Sequence, residues 1–146
     1  MNKLSTGAII ALAATGIFLT LVTAGLIATQ TIPSNGTVTA VNVGVYTDSQ
    51  CTQNCTSINW GTLNPGNTTT KTVYVKNTGA APITLTMTTG SWTPTTANSK
   101  ITLTWNQQNT VLNAGQSTPA NLTLTVAPDA TSITTFSFNI IITGTE

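Results

Sequence analysis

The sequence contains no histidine and no arginine, and its charged side chains are four lysines and three carboxylates. General acid–base catalysis needs a histidine or carboxylates with tuned pKa values. The three carboxylates, Asp48, Asp129 and Glu146, fall in predicted loops or at the chain end, and no histidine can activate the many hydroxyl groups as nucleophiles. We therefore expect a protein that is not an enzyme and that uses no cofactor.

The near absence of positive charge also limits the partners of the chain. The net charge is +1, and no cluster of lysine and arginine is present to neutralise the phosphates of a nucleic acid. Attraction to an anionic membrane surface needs a similar basic cluster. We expect neither nucleic acid as an obligate ligand nor electrostatic docking on such a membrane.

Cysteine is almost absent, with Cys51 and Cys55 the two that occur. A structural zinc site needs four ligands, and the sequence has no further cysteine and no histidine to complete one. In an exported chain, two cysteines this close together predict a small disulfide that pins a loop. Two free thiols are the alternative.

A long uncharged stretch occupies the N-terminus. No charge separates Lys3 from Asp48, and Leu4–Ala28 also lacks proline, asparagine and glutamine. As a helix this stretch would be about 37 Å long, enough to cross a bilayer. Pro33 and the turn-forming residues after it predict a break. The predicted organisation is a leader at 1–3, a hydrophobic helix at 4–30, a hinge at 31–36 and a β-sandwich domain at 37–146.

Beyond the break the sequence alternates as β-strands do, with glycine, proline or asparagine between the strands. The fold class that we expect is mainly β with one long N-terminal α-helix, the β part being a seven-stranded antiparallel immunoglobulin-like sandwich. Threonine, with 35 copies, takes the outward strand positions, and the three tryptophans are core anchors. The predicted strands are Thr37–Tyr46, Ser57–Trp60, Thr70–Lys76, Ile83–Thr88, Ile101–Trp105, Asn121–Val126 and Phe136–Thr143.

Four N-x-S/T sequons are present, and they are candidate sites for N-linked sugar. Three of them fall in predicted loops or turns, where an exported chain is open to modification. The acceptor residues are Asn35, Asn54, Asn67 and Asn121.

The apolar N-terminal stretch has three interpretations. A secretory signal is removed by signal peptidase, but its hydrophobic core is usually 7–15 residues, shorter than this stretch. A permanent transmembrane anchor fits the length, although the single Lys3 is little flanking charge for one. In the third interpretation a short basic leader is clipped, and the helices of many copies pack together as the core of a filament.

The short leader ending in Lys3, the apolar stretch, the proline and glycine break and the threonine-rich β-domain together resemble the archaeal type IV pilins. The resemblance implies an extracellular cell-surface filament whose subunits are membrane-inserted before assembly. It implies that prepilin peptidase cuts near Lys3–Leu4, where this chain has Lys in a position that is more often Gly or Ala. It further implies assembly by a membrane machinery into a helical homopolymer that adheres to host or abiotic surfaces. The residues that would form the assembly helix contacts are Leu4, Ile9, Ile10, Leu12, Ile17, Phe18, Leu19, Leu21, Val22, Leu26 and Ile27.

The β-domain separately resembles a sandwich domain of archaeal surface proteins. The resemblance lies in the segments VGVYTDSQC, SINWGTLNPGNTTTKTVYVKNTG and SWTP. Some of those proteins are filament subunits that assemble by donating a strand to the next subunit, and they lose the apolar segment as a signal peptide. Here the donor would be the strand that begins near Thr37.

From these observations we expect a structural subunit of an extracellular archaeal pilus for adhesion, assembled through a bundle of N-terminal helices. The alternatives are a subunit of a donor-strand thread and a membrane-anchored, monomeric surface binding module. Because few groups ionise, we also expect the cohesion of such filaments to change little with pH.

Overall fold

The structure, a computed structural model, describes residues 32–146. These residues form nine β-strands and one short 3-10 helix. The strands are β1 (Ile32–Val41), β2 (Gly44–Tyr46), β3 (Ser57–Leu63), β4 (Thr68–Lys76), β5 (Ile83–Thr93), β6 (Ile101–Trp105), β7 (Val111–Leu112), β8 (Ser117–Val126) and β9 (Phe136–Thr145), and the 3-10 helix is Thr95–Ser99.

The strands form two sheets that enclose one hydrophobic core. The first sheet has the order β3-β1-β9-β5-β7, and the second has the order β2-β4-β8-β6. All the pairings are antiparallel except one, in which β1 runs parallel to β9. Strand β1, the first described element, therefore lies inside the first sheet, between β3 and the C-terminal strand.

Residues on alternate positions of the strands build the core. In β8 and β9 the inward residues are apolar and buried, and they include Leu122, Leu124, Phe138 and Ile140. The prediction for tryptophan is confirmed: Trp60 and Trp92 are buried and Trp105 packs half-buried against the same core. The prediction for threonine is confirmed as well, since the outward threonines of β5, β6 and β8 are exposed or half-exposed.

The expected fold class is wrong in two respects. The described residues are mainly β and contain no helix of seven or more residues, so the long N-terminal helix of the prediction is not seen. The sandwich also has nine strands, in sheets of five and four with a parallel pair at β1 and β9, where seven antiparallel strands were expected. The predicted leader, the cleavage position Lys3–Leu4 and the assembly-helix residues lie outside the described residues. Within residues 32–146, no helix has the length and apolar character to span a bilayer.

The predicted hinge at 31–36 is wrong for the part that the structure describes, since Ile32–Gly36 belong to β1. Proline is tolerated here because it stands near the start of the strand. Pro33 pairs with Thr62 of β3, whereas the pairing with β9 begins one residue later, at Ser34 and Phe136. Pro33 therefore has no ladder partner on the β9 side, where its missing N–H costs nothing.

The single predicted strand Thr37–Tyr46 is divided at Asn42. This residue has φ 58°, in the left-handed region that asparagine tolerates better than most residues. The kink transfers the chain from the first sheet to the second and reverses which face points inward. Val38 is buried before the kink, and Val43 and Val45 are buried after it. The predicted alternation placed Val38 and Val43 on opposite faces, and the extra residue at the kink is the reason that both are inside.

Candidate assembly site

Strand β1 lies between β3 and β9 in the first sheet. We call the gap between β3 and β9 that it fills the β1 slot. Its residues 32–37 pair antiparallel with Leu63–Ser57 of β3, and its residues 34–41 pair parallel with residues 136–143 of β9. Strands β3 and β9 therefore pair with β1 through main-chain groups that would face solvent if β1 were withdrawn. The slot must be filled by a strand for this sheet to be continuous.

Small side chains of β1 face large side chains of β9 across the slot. The inward residues Ser34 and Gly36 lie beside Phe136 and Phe138 of β9. Trp92 of β5 stacks on Phe138, with ring centroids 4.2 Å apart and an interplanar angle of 6°. Small residues of β1 thus stand opposite large aromatic residues of β9, which matches the strand to the slot in size.

Trp60 reaches into the slot from the other side because of a β-bulge in β3. Ser34 pairs with Gly61 and Asn35 pairs with Asn59, so Trp60 is the extra residue between them. Gly61 has φ +78°, and its N–H donates to the Asn59 Oδ1 at 2.7 Å. A bulge of this kind redirects a side chain, and here it points the indole under β1. A Cβ atom placed on Gly36 would lie 3.1 Å from the Trp60 Nε1.

Two polar atoms near this contact have no hydrogen-bond partner among the described residues. They are the Ser34 Oγ and the Trp60 Nε1, and both are buried. Buried polar atoms without partners cost roughly 1–3 kcal/mol each. The outer part of the slot therefore contains buried polar atoms without hydrogen bonds. The core behind it is apolar, with Ile140 and Ile142 fully buried.

A short link connects β1 to the remainder of the fold. Asn42 and Val43 are the residues between β1 and β2. The Asn42 Nδ2 donates to the Gly144 carbonyl at 3.3 Å, a long hydrogen bond that joins the kink to the end of β9. The sequence prediction of a possible donor strand beginning near Thr37 thus falls on β1, whose first residue is five positions earlier.

The four sequon asparagines are all exposed. Asn35 lies on the outward face of β1 and Asn121 lies on the outward face of β8, whereas Asn54 and Asn67 lie between strands. The prediction that Asn35 is in a turn is wrong, because the flanking residues pair on both sides. Sugar at Asn35 would point away from the core, so it is compatible with a strand in the slot.

The two cysteines lie in the segment between β2 and β3, and both are free thiols in the structure. The predicted disulfide between Cys51 and Cys55 is therefore not formed in it. Cys51 is half-exposed with φ 56°, and Cys55 is buried in the core. Burial raises the pKa of the Cys55 thiol, and its Sγ donates to the Ser57 carbonyl at 3.7 Å. A thiol of this kind is unreactive at neutral pH.

Asp48, rather than a disulfide, holds the loop in this structure. Its Oδ1 accepts hydrogen bonds from the N–H groups of Gln53 at 2.8 Å and Thr52 at 3.0 Å, and its Oδ2 accepts one from the Thr52 hydroxyl at 2.9 Å. The N–H of Gln53 contributes most to lowering the pKa of Asp48. The sequence showed an isolated carboxylate, and nothing local indicated that the loop folds around it.

We expect Asp48→Ala to release this loop without unfolding the domain. The folded-state pKa lies below the usual value of 3.8, so the stabilisation is complete above that value and is lost as the pH falls through the lower one. Hydrogen exchange at the Thr52 and Gln53 amides should therefore be fast in the variant at neutral pH. In the native chain it should accelerate only in strong acid, beyond the intrinsic pH dependence of exchange.

Asp129→Ala is the matched control for this change. The hydrogen bond from the Lys100 ammonium lowers the pKa of Asp129 too, and the pair is exposed. It lies away from the loop, so Asp129→Ala should leave exchange at Thr52 and Gln53 unchanged. Equal protection of these amides in the Asp48→Ala chain would contradict the role of the carboxylate.

The described residues hold no group of three or more histidine, cysteine, aspartate or glutamate side chains that could bind a metal. Comparison with models of known protein families found no match, and comparison with curated proteins found none either. The candidate site is therefore defined by geometry: a slot in the first sheet, the strand that fills it and the link that holds that strand.

Proposed function

We propose that this chain is a non-catalytic structural subunit of an extracellular filament used for attachment. The observation that carries the proposal is the position of β1, which is internal to its sheet and yet joined to the remaining fold through the link at Asn42 and Val43. A strand of this kind is needed for the fold and can be supplied by another copy. Exchange of an identical element between copies is a low-cost route to assembly.

Open exchange of β1 explains how a filament would grow. If the link extends, the β1 of one copy enters the slot of the next and makes the same main-chain and side-chain contacts that it makes in its own. The receiving copy then offers its own β1 to a third copy. Such a head-to-tail contact does not close on itself unless the geometry forms a ring, and it generates a fibre otherwise.

The surface composition supports the same proposal. The outer face of the second sheet carries cross-strand hydroxyl contacts at Thr68–Thr125 and Thr70–Thr123, each 3.2 Å, and a hydrogen bond from Thr72 to Asn121. These groups keep the face hydrophilic without like-charge repulsion between neighbouring copies. Exposed sequons on both sheets would allow sugar to coat the outside.

Assembly through a bundle of N-terminal helices is the earlier expectation for the same filament. It depends on residues 4–30, which lie outside the described residues. The contacts of β1 instead favour strand donation, and we place the assembly site in the β1 slot.

A paired-cysteine experiment tests the proposal. Thr37 and Asn139 are partners in the parallel pairing of β1 with β9. In a full-length chain whose Cys51 and Cys55 are replaced by Ala, we would combine Thr37→Cys with Asn139→Cys and oxidise material sheared from cells. Strand donation predicts a ladder of covalent oligomers on a denaturing, non-reducing gel, together with filaments in electron micrographs.

Two controls separate the possible failures. Thr86→Cys with Thr143→Cys joins β5 to β9, partners that stay in one copy, so it should give no ladder. Thr37→Cys alone also removes the Asn35 sequon, and it tests for any effect of that loss. Filaments without a ladder would overturn strand donation and retain the filament, whereas monomers in every chain would overturn the filament itself.

A further inference from the structure

Strand β1 must enter its slot in one register, although its alternation alone allows several. A slip by one residue turns the exposed Asn35 and Thr37 inward, which the core resists. A slip by two residues keeps the same face inward and is not excluded by the pattern of hydrophobic residues. Some other feature of the slot has to select the register.

Gly36 is the one residue of β1 without a side chain. A Cβ atom at this position would meet the Ile140 Cδ1 and the Trp60 Nε1, both at 3.1 Å. Contacts this short require the neighbours to move, and the indole is buried with 3% exposure. The slot therefore fits a glycine between Trp60 and Ile140, and a larger residue there requires these neighbours to give way.

Slips by two residues fail at this contact. A slip in one direction brings Ser34 opposite Trp60, and a slip in the other direction brings Val38 there. Each adds a side chain at the place where a single Cβ already crowds the indole. The same slip moves Gly36 opposite Phe136 or Ile140, where the side chain of Ser34 or Val38 is then missing.

We propose that Gly36 of the inserted strand and Trp60 of the receiving copy form a register lock for filament assembly. The proposal rests on the proposed function, since it assigns the partner of Gly36 to a second copy of this chain. The bulge at Asn59–Gly61 is the device that aims Trp60 at the glycine. Because Trp60 stands in the slot and Gly36 on the donated strand, the two halves of the lock can be changed in different copies.

The first experiment compares substitutions at two glycines of the same sheet. Gly36→Leu keeps the Asn35 sequon and should reduce the filament yield roughly tenfold or more. Gly90→Leu is the matched control, because a Cβ on Gly90 of β5 meets no atom within 4 Å. That variant should assemble as the native chain does. Equal filament yield from both variants would overturn the lock.

The second experiment places the two halves of the lock in separate copies. Trp60→Ala enlarges the slot, and the Cδ1 of Ile140, the other close neighbour of position 36, is the end of a flexible side chain that can turn aside. A Gly36→Leu strand should therefore fit a Trp60→Ala copy, and the native glycine of that copy should fit the intact slot of the first. Mixing the two chains during assembly should restore filaments that contain both chains, which immunogold labelling of distinct tags would reveal. The Gly36→Leu chain alone should remain poor in filaments.

The outcomes distinguish this inference from the proposed function. Filaments of the native chain that are lost in Gly36→Leu but not restored by mixing would place the contact within one copy and overturn the lock between copies. A native full-length chain that forms no filaments would overturn the proposed function. In that case a double variant with both changes in one chain, as stable as the native chain, would show the contact to be intramolecular.

Discussion

Asn77→Ala should destabilise the domain by about 3 kcal/mol or more, which corresponds to a fall in melting temperature of roughly 10 °C. Asn77 directly follows β4 and is fully buried. Its Nδ2 donates to the carbonyl groups of Ala81 at 2.7 Å and Leu112 at 3.1 Å, and its Oδ1 accepts from the Gly79 N–H at 2.9 Å. The alanine variant leaves two carbonyls and one N–H without that partner, and it leaves a cavity.

Asn77→Asp separates the hydrogen bonds from the volume. The two side chains have nearly the same size, but the aspartate replaces the donor with a second acceptor facing the Ala81 and Leu112 carbonyls. We expect it to be at least as destabilising as alanine at neutral pH, and partly restored in acid, where the protonated carboxyl can donate once more. Urea denaturation at two pH values measures both effects.

Asn113→Ala is the exposed control, and its effect should stay within about 0.5 kcal/mol. If the loss of stability in Asn77→Ala were equally small, the hydrogen bonds of the Asn77 side chain would not be needed for the stability of the domain. A neutral-pH stability of Asn77→Asp equal to that of the native chain would likewise contradict the role of the Nδ2 donor.

The sequence predicted the strands whose pairing agrees with their local pattern. Ile101–Trp105 was predicted with the bounds that the structure has, because its apolar residues alternate with threonine and so assign one face of the strand to the core. Asn77 begins the loop between β4 and β5. Its burial could not be foreseen, since one of the carbonyls that it binds belongs to β7, thirty-five positions later.

The proposed assembly site is the part least visible in the sequence. Ser34, Asn35 and Gly36 have the composition of a turn, and it is the pairing with residues about a hundred positions away in β9 that makes them a strand. A glycine within a strand can signal a close approach of another group. That signal was present at Gly36, but its meaning depends on a bulge in β3 that no local pattern of Ser57–Trp60 reveals.

Phe138→Ala should cost about 3–5 kcal/mol, a large part of the stability of a domain of this size. Phe138 is 1% exposed, stacks on Trp92 and lies 6.1 Å from the ring of Phe136, centroid to centroid. Its neighbour on β1 is Gly36, which has no side chain to move into the space. Because the site cannot collapse from that side, we expect a value in the upper half of the range.

Chemical denaturation of Phe138→Ala, compared with Phe138→Leu and Val111→Ala, measures this effect. Leucine keeps part of the volume and should lose less than half as much stability, and Val111, which is 60% exposed, should lose almost none. The stacking with Trp92 can be isolated by a double-mutant cycle, in which the coupling should be about 0.5–1.5 kcal/mol beyond the separate losses.

A small loss of stability in Phe138→Ala would mean that β1 or β5 moves inward to fill the space. The size match between β1 and its slot would then be adjustable. The register of β1 would then depend less on Gly36, and filaments of the Gly36→Leu chain should recover when combined with Phe138→Ala. A loss in the expected range, with no such recovery, would instead mean that the aromatic side of the slot is rigid and that Trp60 alone yields to a larger residue.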